Sequence, residues 1–456
     1  MSTAPLIAVF DVGKTNAKLT LVDPALGQEI WSTRRANEAV ESPSGRQLDV
    51  VRIEAWLLDA LRTAPERERI SVIVPIAHGA AAVLIDHAGE VIAAPDYEDT
   101  CFDEVADEYR ALRDSYSQTF SPHLPQGLNV GRQLYFLQQR RAAEFQRAAH
   151  ILMYPQYWAW RLCAVMASEV TSLGTHTDLW RPQERVYSTL ARKQGWARLM
   201  PPMRSAPERL GRIRDSVAAA TGLAAGCEVV CGIHDSNASY LRFLLDRERE
   251  AFTVVSSGTW TIVMANRGDL RRLREERDML ANVNAFGAPV ATARYMGGRE
   301  YEAIAPGTAQ PTLEALEAVL QLGAIALPSF SSAGPYAGRQ GQQENVAGLD
   351  ETRRAALATV YSALMTAQLI ESLGAGGEIF VDGPLARNAL FAGLLAACVP
   401  VGTVRVNAEG GGNRVAAHLA GLPAPAVSAL QSIAPLRVPG LLEYQATWRH
   451  RLEQKA

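Results

Sequence analysis

The sequence predicts an α/β fold in which one plan is used twice, and two observations carry that prediction. The first is the stretch Ile7 to Val22, read as strand, tight polar turn, strand. Ile7 to Phe10 is β-branched and aromatic, Leu19 to Val22 resumes the apolar run, and Asp11, Gly13, Lys14, Thr15 and Asn16 crowd the turn. The second is Phe252 to Met264, which repeats the plan around Ser256-Ser-Gly-Thr259 roughly half a chain later. A turn this polar brings backbone N–H groups and short side chains toward an anion. Asp11, at the end of its strand, is placed to hold a hydrated Mg²⁺. Taken alone, the first stretch reads equally well as an ordinary hairpin with a lysine in its turn. Two such hairpins suggest a duplicated fold with a phosphate held between the halves, divided as 1–244 and 245–456.

Size and composition are compatible with that division. The 456 residues are 48% hydrophobic, enough for two to three domains with real cores. A net charge of −3 and a pI near 6.3 give no field that would gather nucleic acid or an anionic membrane. Cys227 and Cys231 are four apart, and no second Cys or His pair has metal-ligand spacing. The five cysteines are therefore expected as reduced, mostly core thiols of a cytoplasmic protein. The N-terminus lacks a basic region followed by a long apolar core, so no signal peptide is expected. Ile70–Ile85 and Ile151–Ala167 are apolar, but Pro75, His78, Pro155, Gln156 and Arg161 interrupt them, and neither would span a bilayer.

Along the chain, Gln28–Thr33 reads as a third strand and Ile53–Leu61 has helical spacing. Ile70–Ala77 is a buried strand ending in His78-Gly79, and Ala81–Ile85 is another strand. His78 is either a satisfied core histidine or a substrate contact. The acidic loop 95–99, with Asp96, faces either a polyol or water. Phe102–Ser115 and Gly131–Ala149 read as helices, and Tyr154–Val165 as aromatic core. Ser168–Asp178 is dense in hydroxyls, either a substrate-side loop or a solvated turn. A helix start is expected from Val186, and 208–226 reads as connective. Glu228–Gly232 is a strand after which His234-Asp235-Ser236-Asn237 opens a helix. Asp235 there is an N-cap, or a carboxylate aimed beyond the C-terminal edge of a sheet, where ligands of α/β proteins bind. Residues 269–278 read as a solvated helix or loop, 282–300 as a loop, and 307–343 as the softest stretch. Glu351–Leu373 is a long helix ended by Gly374. Glu378–Asp382 is a strand followed by a glycine turn and a helix from Asn388 to Val399. Val401–Val406 is a strand, and Glu409-Gly-Gly-Gly-Asn-Arg414 opens a helix over 415–420, a unit able to approach a nucleotide closely.

Five features thus stand in order: Asp11-Val-Gly-Lys-Thr-Asn16, His78-Gly79, Gly232-Ile-His-Asp-Ser236, Ser256-Ser-Gly-Thr259, and Asp382-Gly383 with Asn388. Over residues 6 to about 422 this resembles the FGGY carbohydrate kinases of the actin-like ATPase-domain superfamily. The resemblance implies two ribonuclease-H-like domains with a central cleft, and transfer of the γ-phosphate of ATP, with Mg²⁺, to a sugar hydroxyl. It implies Asp235 as general base, and Asp11 with Asp235 at the metal. It places Gly13, Lys14, Thr15, Asn16, Lys18, Ser257, Gly258 and Thr259 at the ATP phosphates. Gly383, Pro384 and Asn388 would lie by the adenosine, and His78, Gly79, Asp96 and His234 near the sugar. Lys14 departs from the family's threonine or serine, and Asp-Gly-Pro replaces its run of glycines. The pattern after Val229 looks nearest to kinases of deoxyketoses such as L-rhamnulose or L-fuculose. Pentulose and polyol kinases (xylulose, ribulose, erythritol, glycerol) share much of it. No nucleic acid or membrane partner is expected, and a homodimer is left open. Two rivals are weaker. A GxxxxGK[ST] phosphate loop needs glycine at position 8, which is Ala8, and a helix afterwards. A non-catalytic sugar or nucleotide sensor would not need Asp235.

Overall fold

The computed structural model describes residues 4–42, 45–399, 402–406, 412–423 and 430–454. The chain divides into two units: Met1–Leu244 with Ala281–Pro289 and Gly411–Val427, and Leu245–Leu280 with Val290–Gly410 and Ser428–Ala456. Two short segments of the C-terminal half thus belong to the first unit.

In the first unit the strand Leu6–Val12 pairs antiparallel with Asn16–Asp23, which pairs with Gln28–Ala36. On its other side Leu6–Val12 runs parallel to Ile70–Ala77, and that strand runs parallel to Glu228–Val230. Arg209–Arg212 closes the edge antiparallel. A fully buried strand reads as an unbroken apolar run, which is why Ile7–Phe10 was legible. Pro75 sits inside such a strand although it has no N–H to donate. The neighbouring ladder is interrupted opposite it: pairing stops at Val229↔Ile73 and resumes at Ile233↔Ile76. That interruption brings His234 and Asp235 to the end of the sheet, where the helix Asp235–Leu244 begins. The helix Val50–Thr63, capped by Asp49, buries Ile53, Leu57, Ala60 and Leu61 on one stripe. Trp158, from the helix Tyr154–Cys163, meets Phe10 edge-on at 5.3 Å.

The second unit repeats that six-strand order. Phe252–Ser257 pairs antiparallel with Thr261–Asn266, which pairs with Pro289–Tyr295. Phe252–Ser257 runs parallel to Glu378–Asp382, which runs parallel to Val404–Val406, with Gln431–Ser432 antiparallel at the edge. The duplication expected from the two hairpins therefore extends over both sheets. The helix Glu351–Ser372, capped by Asp350, is buried over most of its length.

Several elements differ from expectation. Val186–Tyr187 is a short strand, and the helix starts at Thr189 under a Ser188 cap. The 208–226 stretch contains the edge strand and a helix, Asp215–Thr221. Region 282–300 is largely ordered as Pro289–Tyr295 and the helix from Gly297, and 307–343 contains the helix Leu313–Leu322. Glu409, Gly410 and Gly411 lie outside the described residues; the helix there spans Gly412–Leu419.

Candidate active site

At the end of the first unit's sheet two hydrogen-bond donors of Ser236, with the His234 ring beside them, converge on one oxygen of Asp235. His234 Nε2 lies 3.1 Å from Oδ1, the Ser236 N–H donates to it at 2.5 Å, and the Ser236 hydroxyl at 3.3 Å. Among the described residues Oδ2 takes no donor, and the side chain is 37% exposed. Asn237 Nδ2 donates to His234 Nδ1 at 3.1 Å, so the imidazole proton sits on Nε2, facing the carboxylate. Burial pushes His234 below the usual histidine range, which keeps it neutral. Gly79 leaves room for this ring: a Cβ there would stand 2.7 Å from His234 Nε2. The arrangement suits a carboxylate fixed through one oxygen that takes a proton on the other.

Behind it runs a buried chain. The His234 N–H donates to Thr171 Oγ1 at 3.1 Å, and that hydroxyl donates to Glu169 Oε2 at 2.5 Å. Glu169 is fully buried, and burial pushes its carboxyl up to about 7, against the bonds from Thr171. With the folded value above the unfolded one, the folded state holds the extra proton. The group's contribution to stability is complete below about pH 4.5 and is lost as pH rises through about 7. Glu169→Gln is therefore expected to flatten the fall in melting temperature between pH 5 and about 8, as a pH series of thermal melts would read. An unchanged slope would show that Glu169 does not titrate there.

Asp235 shares a cavity of about 260 Å³ with Asp11, Lys18, Ser239 and Asn413. Asp11 and Lys18 face each other across the hairpin ladder. Burial, then the Asp235 charge, push the Asp11 carboxyl up to about 7, and Lys18 opposes them. Two carboxylates thus line one cavity, a donor pair compatible with a cation. Among the described residues no group of three or more His, Cys, Asp or Glu is assembled for a metal. The donor set thus fits an ion that keeps most of its waters and takes one or two carboxylates, as Mg²⁺ does. Gly412 and Asn413, at the start of the helix Gly412–Leu419, line this cavity and belong to the first unit.

Lys14 does not face it. Its ammonium lies 2.5 and 2.6 Å from the two Asp96 oxygens and 3.3 Å from Glu98, with Arg46 Nε 3.0 Å from Asp96 on the other side. The phosphate contact expected of Lys14 would have to compete with this ion pair. A fully buried carboxylate must be paired, and the turn lysine supplies the charge. Asp96, expected at the sugar, has both oxygens covered by these cations. Lys14 instead lines a second cavity of about 270 Å³ with His78, Arg46 and Tyr154. His78 Nδ1 bonds the Gly79 carbonyl at 2.8 Å, which leaves Nε2 as an acceptor, and burial holds the ring neutral. The turn itself is braced by Asn37, which donates to the Gly13 carbonyl and, through its N–H, to that of Thr15. Thr15 and Asn16 are exposed at its tip.

In the second unit the matching tip, Gly258 and Thr259, is also exposed and lines a cavity of about 690 Å³. Pro384 and Asn388 border it, as do Arg299, Tyr301 and Arg387. Ser257 has no free hydroxyl for a phosphate: Oγ donates to the Asp382 carbonyl at 2.6 Å and accepts from the Leu385 N–H at 3.0 Å. The Asn388 side chain is likewise engaged. Its Oδ1 caps the next helix through the N–H groups of Leu390 and Phe391, and its Nδ2 donates to Thr359. Sequence reasoning missed Glu169, Thr171, Asn37 and the two cavity arginines. The hydroxyl-dense 168–178 stretch was the signal for the first two; nothing local marked the others.

Comparison with known proteins fits this geometry. The N-terminal domain of the FGGY family of carbohydrate kinases matches residues 6–241, and the FGGY carbohydrate kinase C-terminal domain matches 249–429. No curated protein matches the chain. A carbohydrate kinase from Novosphingobium aromaticivorans is similar in structure, with 34% identity, 100% of this chain and 99% of that one covered, and a TM-score of 0.91. A ligand-bound xylulose kinase from Lactobacillus acidophilus shares the fold at 14% identity, covering 99% and 96%, with a TM-score of 0.75. So does a Plasmodium falciparum glycerol kinase with ADP, at 13% identity, covering 99% and 98%, with a TM-score of 0.77. The chain belongs to the FGGY family of carbohydrate kinases, phosphotransferases built on the duplicated actin-like ATPase fold.

Proposed function

We propose that the chain is an ATP-dependent ketose kinase in which Asp235 is the general base, with a deoxyketose such as L-rhamnulose or L-fuculose as the leading acceptor. The observation that carries the base assignment is the asymmetry of Asp235: Oδ1 takes both Ser236 donors with His234 Nε2 3.1 Å away, while among the described residues Oδ2 takes none. In the transfer, a sugar O–H bond breaks and its proton passes to Asp235. The oxygen forms a bond to the γ-phosphorus as the bond from that phosphorus to the β,γ-bridging oxygen breaks and ADP leaves. Lys18, in the same cavity and paired with Glu29 at 3.0 Å, offers a cation to the phosphates. A magnesium ion, for which Asp11 and Asp235 are the fitting ligands, supplies further neutralisation of phosphate charge when bound. The cavity at Gly258, Thr259 and Pro384 is read as the nucleotide site; its size suits a nucleotide, and Arg299 and Arg387 border it.

The acceptor rests on the Gly232-Ile-His-Asp235 pattern, and the similar structures extend the range to xylulose and glycerol as alternatives. A coupled ADP-release screen over L-rhamnulose, L-fuculose, the ribuloses, the xyluloses, glycerol and erythritol decides among them. Turnover highest with a deoxyketose supports the proposal; a pentulose or polyol ahead of both replaces it. Binding without turnover across the panel would favour a sensor.

The two lysines should separate. Lys18→Met is expected to lower kcat, because the transferred phosphate loses a cation. Lys14→Met removes one of the cations on buried Asp96 and should cost about 1–3 kcal/mol of stability, since Arg46 remains. Steady-state kinetics with denaturant titration of both variants checks this. A Lys14 variant with unchanged stability and a large rise in ATP KM would restore Lys14 to the phosphates.

A further inference from the structure

We propose that the second unit carries a separate anion site, a cavity of about 430 Å³ into which five arginines converge, and that its ligand is a compact, multiply phosphorylated small molecule. The lining includes Arg272, Arg274, Arg277, Arg339 and Arg449, and it shares no residue with the Gly258–Pro384 cavity. Among the described residues Arg449 alone of the five forms an ion pair, with Glu371 at 2.7 Å. Arg274, Arg277 and Arg339 are held by neutral groups. Arg274 Nη1 donates to the carbonyls of Arg271 and Leu273 at 2.7 and 2.9 Å, and Arg339 Nη1 to that of Leu452 at 2.9 Å. Arg277 and Arg339 both stack on Tyr336, 5.1 and 4.9 Å from the ring centre. These contacts fix the guanidinium planes of Arg274, Arg277 and Arg339 without a carboxylate partner, while the Arg272 charge acts on Asp269.

One carboxylate, Glu453, borders the cavity, and the C-terminal end of the helix Glu351–Ser372 abuts it through Gln368 and Ser372. A helix end contributes about half an elementary charge. Together with Glu453, and with Asp269 near Arg272, that offsets fewer than three of four positive charges. Crowded like charges disfavour the folded state unless an anion joins them. Guanidinium forks recognise phosphate and carboxylate bidentately, and several at fixed angles favour a ligand with more than one such group. The volume is that of a small-molecule site.

The test is calorimetric titration of the full chain with inorganic pyrophosphate, and separately with fructose 1,6-bisphosphate, at saturating ATP analogue so that the nucleotide site is filled. The expected result is binding of at least one probe that weakens at least about tenfold in Arg272→Gln/Arg274→Gln and stays within about twofold in Arg299→Gln/Arg387→Gln. Thermal melts without ligand check that each variant folds. Should the double variant fail, Arg274→Gln alone serves, because that guanidinium is exposed and bonds only neighbouring backbone. Absence of binding by both probes overturns the site, as does binding indifferent to Arg272 and Arg274 or lost with Arg299 and Arg387.

Discussion

Asp235→Asn should lower turnover by about two orders of magnitude or more while leaving the chain folded and able to bind nucleotide. Asparagine keeps an oxygen for His234 and the Ser236 N–H, so the local bonds survive. What disappears is basicity. A sugar hydroxyl is a weak acid, and an amide cannot take its proton. Rate and binding should therefore separate: kcat falls, and the nucleotide Kd from calorimetry barely moves. The helix Asp235–Leu244 begins at this residue, so a melting curve must accompany the kinetics. Near-wild-type turnover in a folded variant would remove Asp235 from the mechanism.

Gly383→Ala should be nearly as damaging by a different route. Gly383 has φ of +81°, and a Cβ there would stand 2.0 Å from the Ser257 carbonyl oxygen. Neither backbone can yield cheaply, because Ser257 Oγ is bonded to both Asp382 and Leu385. The positive φ and the overlap together cost about 2–4 kcal/mol. The distortion falls on the loop that borders the proposed nucleotide cavity. Denaturant unfolding should show the loss, and the ATP KM should rise. An alanine variant with wild-type stability and KM would mean that the loop is free to shift.

Much of the framework was legible because it is local. Ile7–Val22 and Phe252–Met264 each hold both strands and their turn within sixteen residues or fewer. The repeated apolar–polar–apolar plan therefore exposed the duplication, and the order of both sheets carries it through. The end of the strand before Asp235 was visible as Gly232, two residues ahead of His234. What stayed hidden depends on distant partners. Lys14 sits in a phosphate-like turn, yet its charge is claimed by Asp96, 82 residues away. Ser257 looked free until Asp382 and Leu385, more than 120 residues on, were found on its hydroxyl. Glu169 lies 65 residues before His234, and only the fold puts Thr171 between them. The cap role of Asn388 was within reach, since the N–H groups that it takes are two and three residues ahead. Stretch 208–226 has little apolar periodicity because its strand is an edge and its helix is half exposed.

The central claim is that Asp235 receives the proton of the phosphorylated hydroxyl. A crystal structure of the full chain with the best acceptor from the screen and a non-hydrolysable ATP analogue tests it most directly. The account predicts a sugar hydroxyl within roughly 2.6–3.2 Å of Asp235 Oδ2. An ordered sugar with no hydroxyl near that oxygen, and its reacting end against a different acid or base, would contradict it.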